Sequence, residues 1–282
     1  MLMKKRLFSM LLWLVSAIGL GLILYPTVSD YINSLNSSRA IASYVEQVED
    51  MGSQDKKLHW DNAVAYNKSL LHRPNNYILT DEQAEQYSQL LNVGGNGIMG
   101  YVVVERLNIS LPIYHTTNNA VLQTAVGHLE WTSLPVGGTS THCVLSGHRG
   151  LPSADLFTDL DQMQEGDLFM LQVLDTTLTY EVDQILIVEP VEVDALHITP
   201  GMDYCTLLTC TPYGVNTHRL MVRGHRVENQ EKYVEAVVRI TAEAVQINSR
   251  LVAVLMGASL LLLIFTFIMV RDHFRKKRRR RA

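Results

Sequence analysis

Three side chains in this sequence of 282 residues could together cleave an acyl bond: Cys210, His148 and Arg219. Cys210 closes the run Tyr204-Cys205-Thr206-Leu207-Leu208-Thr209-Cys210, which reads as a strand, and the turn Thr211-Pro212-Tyr213-Gly214 follows it. A strand end beside a loop can hold a nucleophile rigidly and still expose it. A thiol attacks a carbonyl carbon as the thiolate and needs a base or cation nearby to lower its pKa. Ser146-Gly147-His148-Arg149-Gly150 supplies an imidazole in a glycine-rich turn at another strand end. Arg219, at the start of the strand after Cys210, supplies a permanent cation and a fork of donors for a developing oxyanion. Each residue alone has a blander reading: a cysteine near a strand end is commonly a small buried apolar residue. Cys210 and His148 are far apart in sequence, so only the fold can make them a pair.

The elements that must do so lie after Gly97. Runs with strand character are Tyr101 to Val104, Cys143 to Leu145, Leu168 to Leu174, Leu178 to Val188, Tyr204 to Thr209 and Leu220 to Val227. Leu178, Tyr180 and Val182 alternate with Thr179, Glu181 and Asp183, the period of a strand with one wet face. Many short strands separated by turns favour an antiparallel barrel or sandwich over a parallel α/β sheet. The preceding third reads as helical. Ile41, Tyr44, Val45 and Val48 recur at helical spacing, as do Ala63, Val64, Tyr66, Leu70 and Leu71, with Ser37 or Ser38 as a start and Gly52-Ser53 as a break. Thr80 with Gln83 predicts a capping box for a short helix to Leu91, which leaves a loop from about His72 to Thr80.

The net charge of −4 conceals an acidic body between basic ends. Lys4 to Arg6 carry +3, residues 271–282 carry +7, and the rest carries −14. Beside each basic end runs an uncharged apolar stretch, Leu7 to Tyr25 and Leu251 to Val270, long enough at about 1.5 Å per residue to cross a hydrocarbon core of roughly 30 Å. The bases lie on the outer flanks, which predicts two transmembrane helices, both termini in the cytoplasm and an extracytoplasmic body. The first stretch exceeds a usual signal-peptide core and no A-x-A-like site follows it, which favours an uncleaved anchor. The basic tail then meets membrane lipid headgroups, and nucleic acid is excluded as a partner by the acidic body. The remaining regions are a helical segment 26–96, a strand-rich domain 97–227 and a juxtamembrane helix 228–250. Three cysteines allow at most one internal bridge. Cys143 and Cys205 fall within strands and read as buried. His142 and His218 flank the reactive motifs and read as structural, whereas His128 and His225 lack zinc spacing, so neither a metal nor another cofactor is expected.

The strand-rich part resembles the catalytic domain of the sortases, membrane-bound cysteine transpeptidases of Gram-positive bacteria. The family's T-L-x-T-C motif stands as Thr206 to Cys210, its histidine within Thr141 to Gly150 and its arginine within Val215 to Leu220. Further likeness runs through Asn96 to Tyr101, Leu111 to His115 and Leu151 to Phe157. The flanking helices and second span are similar to class C, the pilus-assembling sortases. The resemblance implies a closed antiparallel β-barrel, mostly β, with N-terminal helices and two flanking transmembrane helices. It implies that Cys210 attacks the Thr-Gly bond of an LPxTG-like sorting signal to give a thioacyl enzyme. His148 would serve as acid and base, Arg219 would hold substrate and oxyanion, and Thr209, Leu208 and His142 would bind or support. The expected substrates are pilins or other surface proteins. The expected acceptor is a pilin lysine, or a peptidoglycan amine in a cell-wall-anchoring sortase; a membrane-tethered protease and a non-catalytic pilin scaffold are the other readings. Class C enzymes usually carry an Asp-Pro-aromatic lid. This sequence has no Asp-Pro pair there, and Tyr77-Ile78-Leu79 take its position, which predicts either an apolar plug or an open site.

Overall fold

The computed structural model describes residues 2–73 and 77–229, with Leu260, Leu263, Ile264, Phe267 and Arg271 beyond them. Its elements are α1 (Leu2–Asp50), α2 (Ser53–Leu70), α3 (Asp81–Gln89), β1 (Ile98–Val104), β2 (Ile109–His115), α4 (Asn119–Leu122), β3 (Val126–His128), β4 (Thr141–Ser146), β5 (Leu168–Val173), β6 (Thr176–Val188), β7 (Asp203–Thr211) and β8 (His218–Val227). The eight strands close into a barrel in the order β1-β2-β3-β4-β7-β8-β6-β5.

The barrel is mixed rather than antiparallel throughout, which corrects the expectation from sequence. The β2–β3 and β4–β7 pairs are parallel. Parallel neighbours need a crossover connection. β2 reaches β3 through α4, and β4 reaches β7 only after the chain has laid down β5 and β6. Strand periodicity reports which face is buried and says nothing of a neighbour's direction. β2 and β3 escaped notice for other reasons: β2 contains Pro112 and β3 is three residues long.

The barrel interior is filled by alternate residues such as Val102, Ile113, Val126, Leu145, Leu171, Tyr180, Leu207 and Val222, all buried. β1 is buried along its whole length because α1 covers its outer face. Tyr44 fastens that contact: its hydroxyl donates to the Met99 carbonyl at 3.0 Å and accepts from the Leu174 N–H at 2.8 Å. On α1, Ile41, Tyr44 and Val48 form the inward stripe at helical spacing. Neither Ser37 nor Ser38 starts a helix, since α1 runs unbroken from Leu2 through Pro26 to Asp50. A serine caps only where the chain departs from helical geometry, and here Ser37 is buried within the helix. The break at Gly52 and the capping box of α3 are present: Gln83 N donates to Thr80 Oγ1 at 3.3 Å and Thr80 N donates to Gln83 Oε1 at 3.0 Å.

The apolar run 7–25 is part of α1. The second run and the expected juxtamembrane helix lie outside the described residues, apart from a few positions and the short stretch to Asn229. Among the described residues no helix is long and apolar enough to cross a membrane.

Candidate active site

The parallel β4–β7 ladder carries one end of the site. His142 pairs with Tyr204 and the register runs on to Ser146 with Leu208. β4 stops there, but the hold between the two chains continues. Gly147 N donates to the Leu208 carbonyl at 3.0 Å, and Thr209 Oγ1 donates to the Gly147 carbonyl at 2.7 Å. Beyond His148, Arg149 Nη1 donates to Thr211 Oγ1 at 3.0 Å. One residue past Arg149 and two past Thr211, Gly150 packs against the Tyr213 ring. His148 is thus bracketed by contacts to the cysteine strand, and the β4–β7 register, extended two residues past Ser146 and Leu208, points to Cys210 as its counterpart. Gly147 is required for this path, since a Cβ there would lie 2.7 Å from the Phe157 ring.

The antiparallel β7–β8 ladder brings the third residue, with Cys210 directly across from Arg219. Opposed residues of adjacent strands project from the same face. Among the described residues Arg219 donates hydrogen bonds to the carbonyls of His218 at 3.3 Å and Asn216 at 3.5 Å and forms no ion pair. A permanent cation is therefore available beside the thiol. Cys210 is partly exposed and reduced, whereas Cys143 and Cys205 are buried opposite one another in the barrel interior. Burial lowers the pKa of His148 below the usual imidazole range, which favours the neutral ring near pH 7.

Leu208 and Thr209 divide their work by face. Leu208 points outward with Val144, Leu196 and Met221, a cluster joined by Trp131, Leu186 and Val188. This apolar floor leads to Cys210 on the outer wall of the barrel. Thr209 is buried and serves the backbone of the His148 turn.

His142 stands at the other end of the same floor. Its Nδ1 lies 3.0 Å from the His197 carbonyl and its Nε2 lies 2.7 Å from Thr206 Oγ1. A carbonyl can only accept, so Nδ1 carries the proton and Nε2 accepts from the threonine hydroxyl. Burial, opposed by the bond to the His197 carbonyl and aided by the charge of Arg223, brings its pKa down to about 4. His142 is a neutral crosslink that ties the loop 189–202 to both parallel strands. His218 pairs across the ladder with Thr211, next to the Cys210–Arg219 pair.

Tyr77 meets this far end of the floor. Its ring lies edge-on to Trp131 with centroids 4.9 Å apart, and its hydroxyl is 3.1 Å from His197 Nε2. Leu79 packs against the core, Ile78 is exposed, and Tyr77, Trp131, His142 and His197 line a cavity of about 470 Å³. Thr206, the partner of His142, lies four residues before Cys210, roughly 13 Å along a strand. The segment is anchored at this distance by two residues that sequence reasoning missed, Trp131 and His197. Each comes from an irregular loop, where no periodicity marks it. Arg149 was within a motif, but only the structure shows the residue it reaches.

A closed barrel that sets a cysteine across from an arginine and beside a histidine turn defines a class of cysteine transpeptidases. Residues 102–227 match the family model of the sortase domain, and the chain belongs to the sortase family. Sortase C1 of Streptococcus agalactiae is 49% identical, with a TM-score of 0.67 over 68% of this chain and 100% of that one. Sortase C of Streptococcus pneumoniae, solved in connection with catalysis and pilin substrate specificity, is 43% identical, with a TM-score of 0.62 over 68% of this chain and 97% of that one. Sortase A of Streptococcus agalactiae is 28% identical over 40% of this chain, a match spanning 47% of that protein's length.

Proposed function

We propose that this chain is a class C sortase that cuts LPxTG-like sorting signals and joins pilin subunits through lysine isopeptide bonds. The observation that carries the reading is the shared register of the site: Cys210 is across from Arg219 on one side and bracketed by the Gly147 and Arg149 contacts on the other. The apolar floor from Trp131 to Leu208 suits an extended peptide with leucine and proline side chains. The similarity to sortases C, one of them studied for pilin specificity, supports pilins as substrates.

In this mechanism the Cys210 thiol gives its proton to neutral His148 as sulfur attacks the threonine carbonyl carbon. A C–S bond forms, the oxyanion faces the Arg219 guanidinium, and the C–N bond to glycine breaks as His148 returns the proton to the leaving amine. A lysine amine of the next subunit then attacks the thioester. The C–N bond forms, the C–S bond breaks, and the amine's proton passes through His148 back to sulfur. Leu208 lines the peptide's path, while Thr209 and His142 hold the strands and loop that shape it. The segment 72–80 acts as a lid fixed by Tyr77.

The membrane reading draws on α1. Along its first half Leu22 and Ile23 are 70% and 75% exposed, as are other apolar residues around the helix, whereas its second half buries Ile41, Tyr44 and Val48 on the barrel. A helix apolar all round calls for lipid. Together with the basic flanks this supports a reading with both termini in the cytoplasm, the barrel outside and, from the sequence alone, residues 251–270 as a second span. The test is incubation of the full chain in detergent with a sorting-signal pilin. Cys210-dependent ladders of joined subunits are expected; cleavage without ladders would overturn the polymerase reading, and no cleavage would overturn the peptidase reading too.

A further inference from the structure

We propose that Arg149 is a positioning residue that sets His148 against Cys210, an inference that rests on the reading of those two as the reacting pair. β4 ends at Ser146, two residues before His148, so no ladder bond ties His148 to the cysteine strand; its own backbone bond runs elsewhere, from the Phe157 N–H. On its N-terminal side the turn is fastened by Gly147, through the Leu208 carbonyl and Thr209 Oγ1. On its C-terminal side the link to the cysteine strand is the Arg149 guanidinium. Nη1 donates to Thr211 Oγ1 at 3.0 Å, and Nη2 pairs with Asp161. Thr211 immediately follows Cys210 as Arg149 immediately follows His148, so the two reacting residues are tied through their next neighbours.

The side chain is committed to this task. It is 8% exposed, and its Nε is a buried donor with no partner. An arrangement chosen only to hold a cation would leave the charge in water, where an exposed pair is cheap. Here a fork spans Thr211 and Asp161 from two different segments, and one nitrogen goes unpaired to allow it. A lysine is a compact charge on a flexible stem and lacks the fixed fork that holds the two acceptors in one geometry. The Gly150 N–H, donated to Thr158 Oγ1 at 3.1 Å, closes the turn behind the arginine. The Phe157 N–H donates to the His148 carbonyl at 3.1 Å and holds the turn to its own segment; released from the arginine clamp, the turn would keep that tie but lose its link to the residue after Cys210, and the imidazole would shift relative to the thiol. A displacement of about 1 Å at reacting groups can cost on the order of a hundredfold in rate.

The experiment follows single-turnover cleavage of a fluorogenic sorting-signal peptide by the full chain in detergent. Its variants are Arg149→Lys, Thr211→Val and their double, with Cys210→Ala alongside. The expected result is a fall of about tenfold or more in kcat for each single variant, KM within about twofold, and a double no worse than the poorer single, because both changes break one link. The pH–rate profile should move as well, since burial of the turn holds the His148 pKa down and a displaced turn would let it rise; a purely structural ion pair would lower Tm and leave that profile in place. Wild-type kcat and pH profile in Thr211→Val, or a loss confined to KM, would overturn the proposal. Should Arg149→Lys fail to fold, Thr211→Val decides alone, as it removes one hydroxyl and no charge. Full cleavage by Cys210→Ala would instead bring down the underlying site reading, whereas an inert Cys210→Ala beside unimpaired clamp variants would remove the clamp only.

Discussion

Cys210 and Arg219 are direct partners across the β7–β8 ladder, so the distance between thiol and guanidinium is set by a backbone register and not by a mobile loop. That relationship makes the two positions separable by mutation without disturbing the barrel.

Cys210→Ala should abolish cleavage of a sorting-signal peptide. Arg219→Ala should lower kcat by about 10²- to 10³-fold, the usual loss when one oxyanion donor is removed, with the Tm little changed. Arg219→Lys should recover only part of the rate, because a point charge replaces a fork. A peptide-cleavage assay with thermal melts on each variant checks these outcomes, and an Arg219→Ala enzyme at wild-type kcat would refute the role.

His142 should make the fold sensitive to acid. Unfolded, the residue binds a proton near pH 6.5; folded, it does so only near pH 4. Between those values the unfolded chain holds more protons, so stability rises with pH and is lost as pH falls. The full effect is on the order of 3 kcal/mol. Urea titrations at pH 7 and pH 4.5 should show this loss, and His142→Gln should flatten it while being less stable at pH 7.

Gly147→Ala should reduce both stability and activity. The added methyl would press on the Phe157 ring, and overpacking of this kind costs about 1–3 kcal/mol. Because the same residue anchors the turn of His148, the loss in kcat should exceed what the fall in Tm implies at the assay temperature. Paired calorimetry and kinetics would show it.

Tyr44→Phe should cost about 2–3 kcal/mol, since it strands the buried Leu174 N–H and Met99 carbonyl that the hydroxyl now satisfies. Hydrogen exchange should quicken along β1 and at the β5 end, where α1 is fastened.

Tyr77→Ala should release the proposed lid by removing its contacts with Trp131 and His197. The expected outcome is a severalfold rise in kcat/KM for a sorting-signal peptide and faster labelling of Cys210 by a thiol reagent. Rates equal to wild type would remove any restraining role for segment 72–80.

The amino-acid sequence by itself determined six of the eight strands, the α3 capping box and the break at Gly52, and it offered Cys210, His148 and Arg219 as the candidate site, because each is a local matter of residue type, spacing, capping or turn chemistry. The buried character of Cys143 and Cys205 followed from the same strand pattern. The tertiary structure alone decided what depends on partners distant in the chain. Parallel pairing of β4 with β7 carries the turn of His148 to the end of the strand that bears Cys210, and no periodicity encodes a neighbour's direction. The continuity of α1 past Ser37 came from the barrel surface it covers. The anchoring of Tyr77 on Trp131 and His197, the neutral state of His142 and the reach of Arg149 to Thr211 are long-range contacts between loops, where side-chain identity is visible in the sequence but its partner is chosen only when the barrel closes.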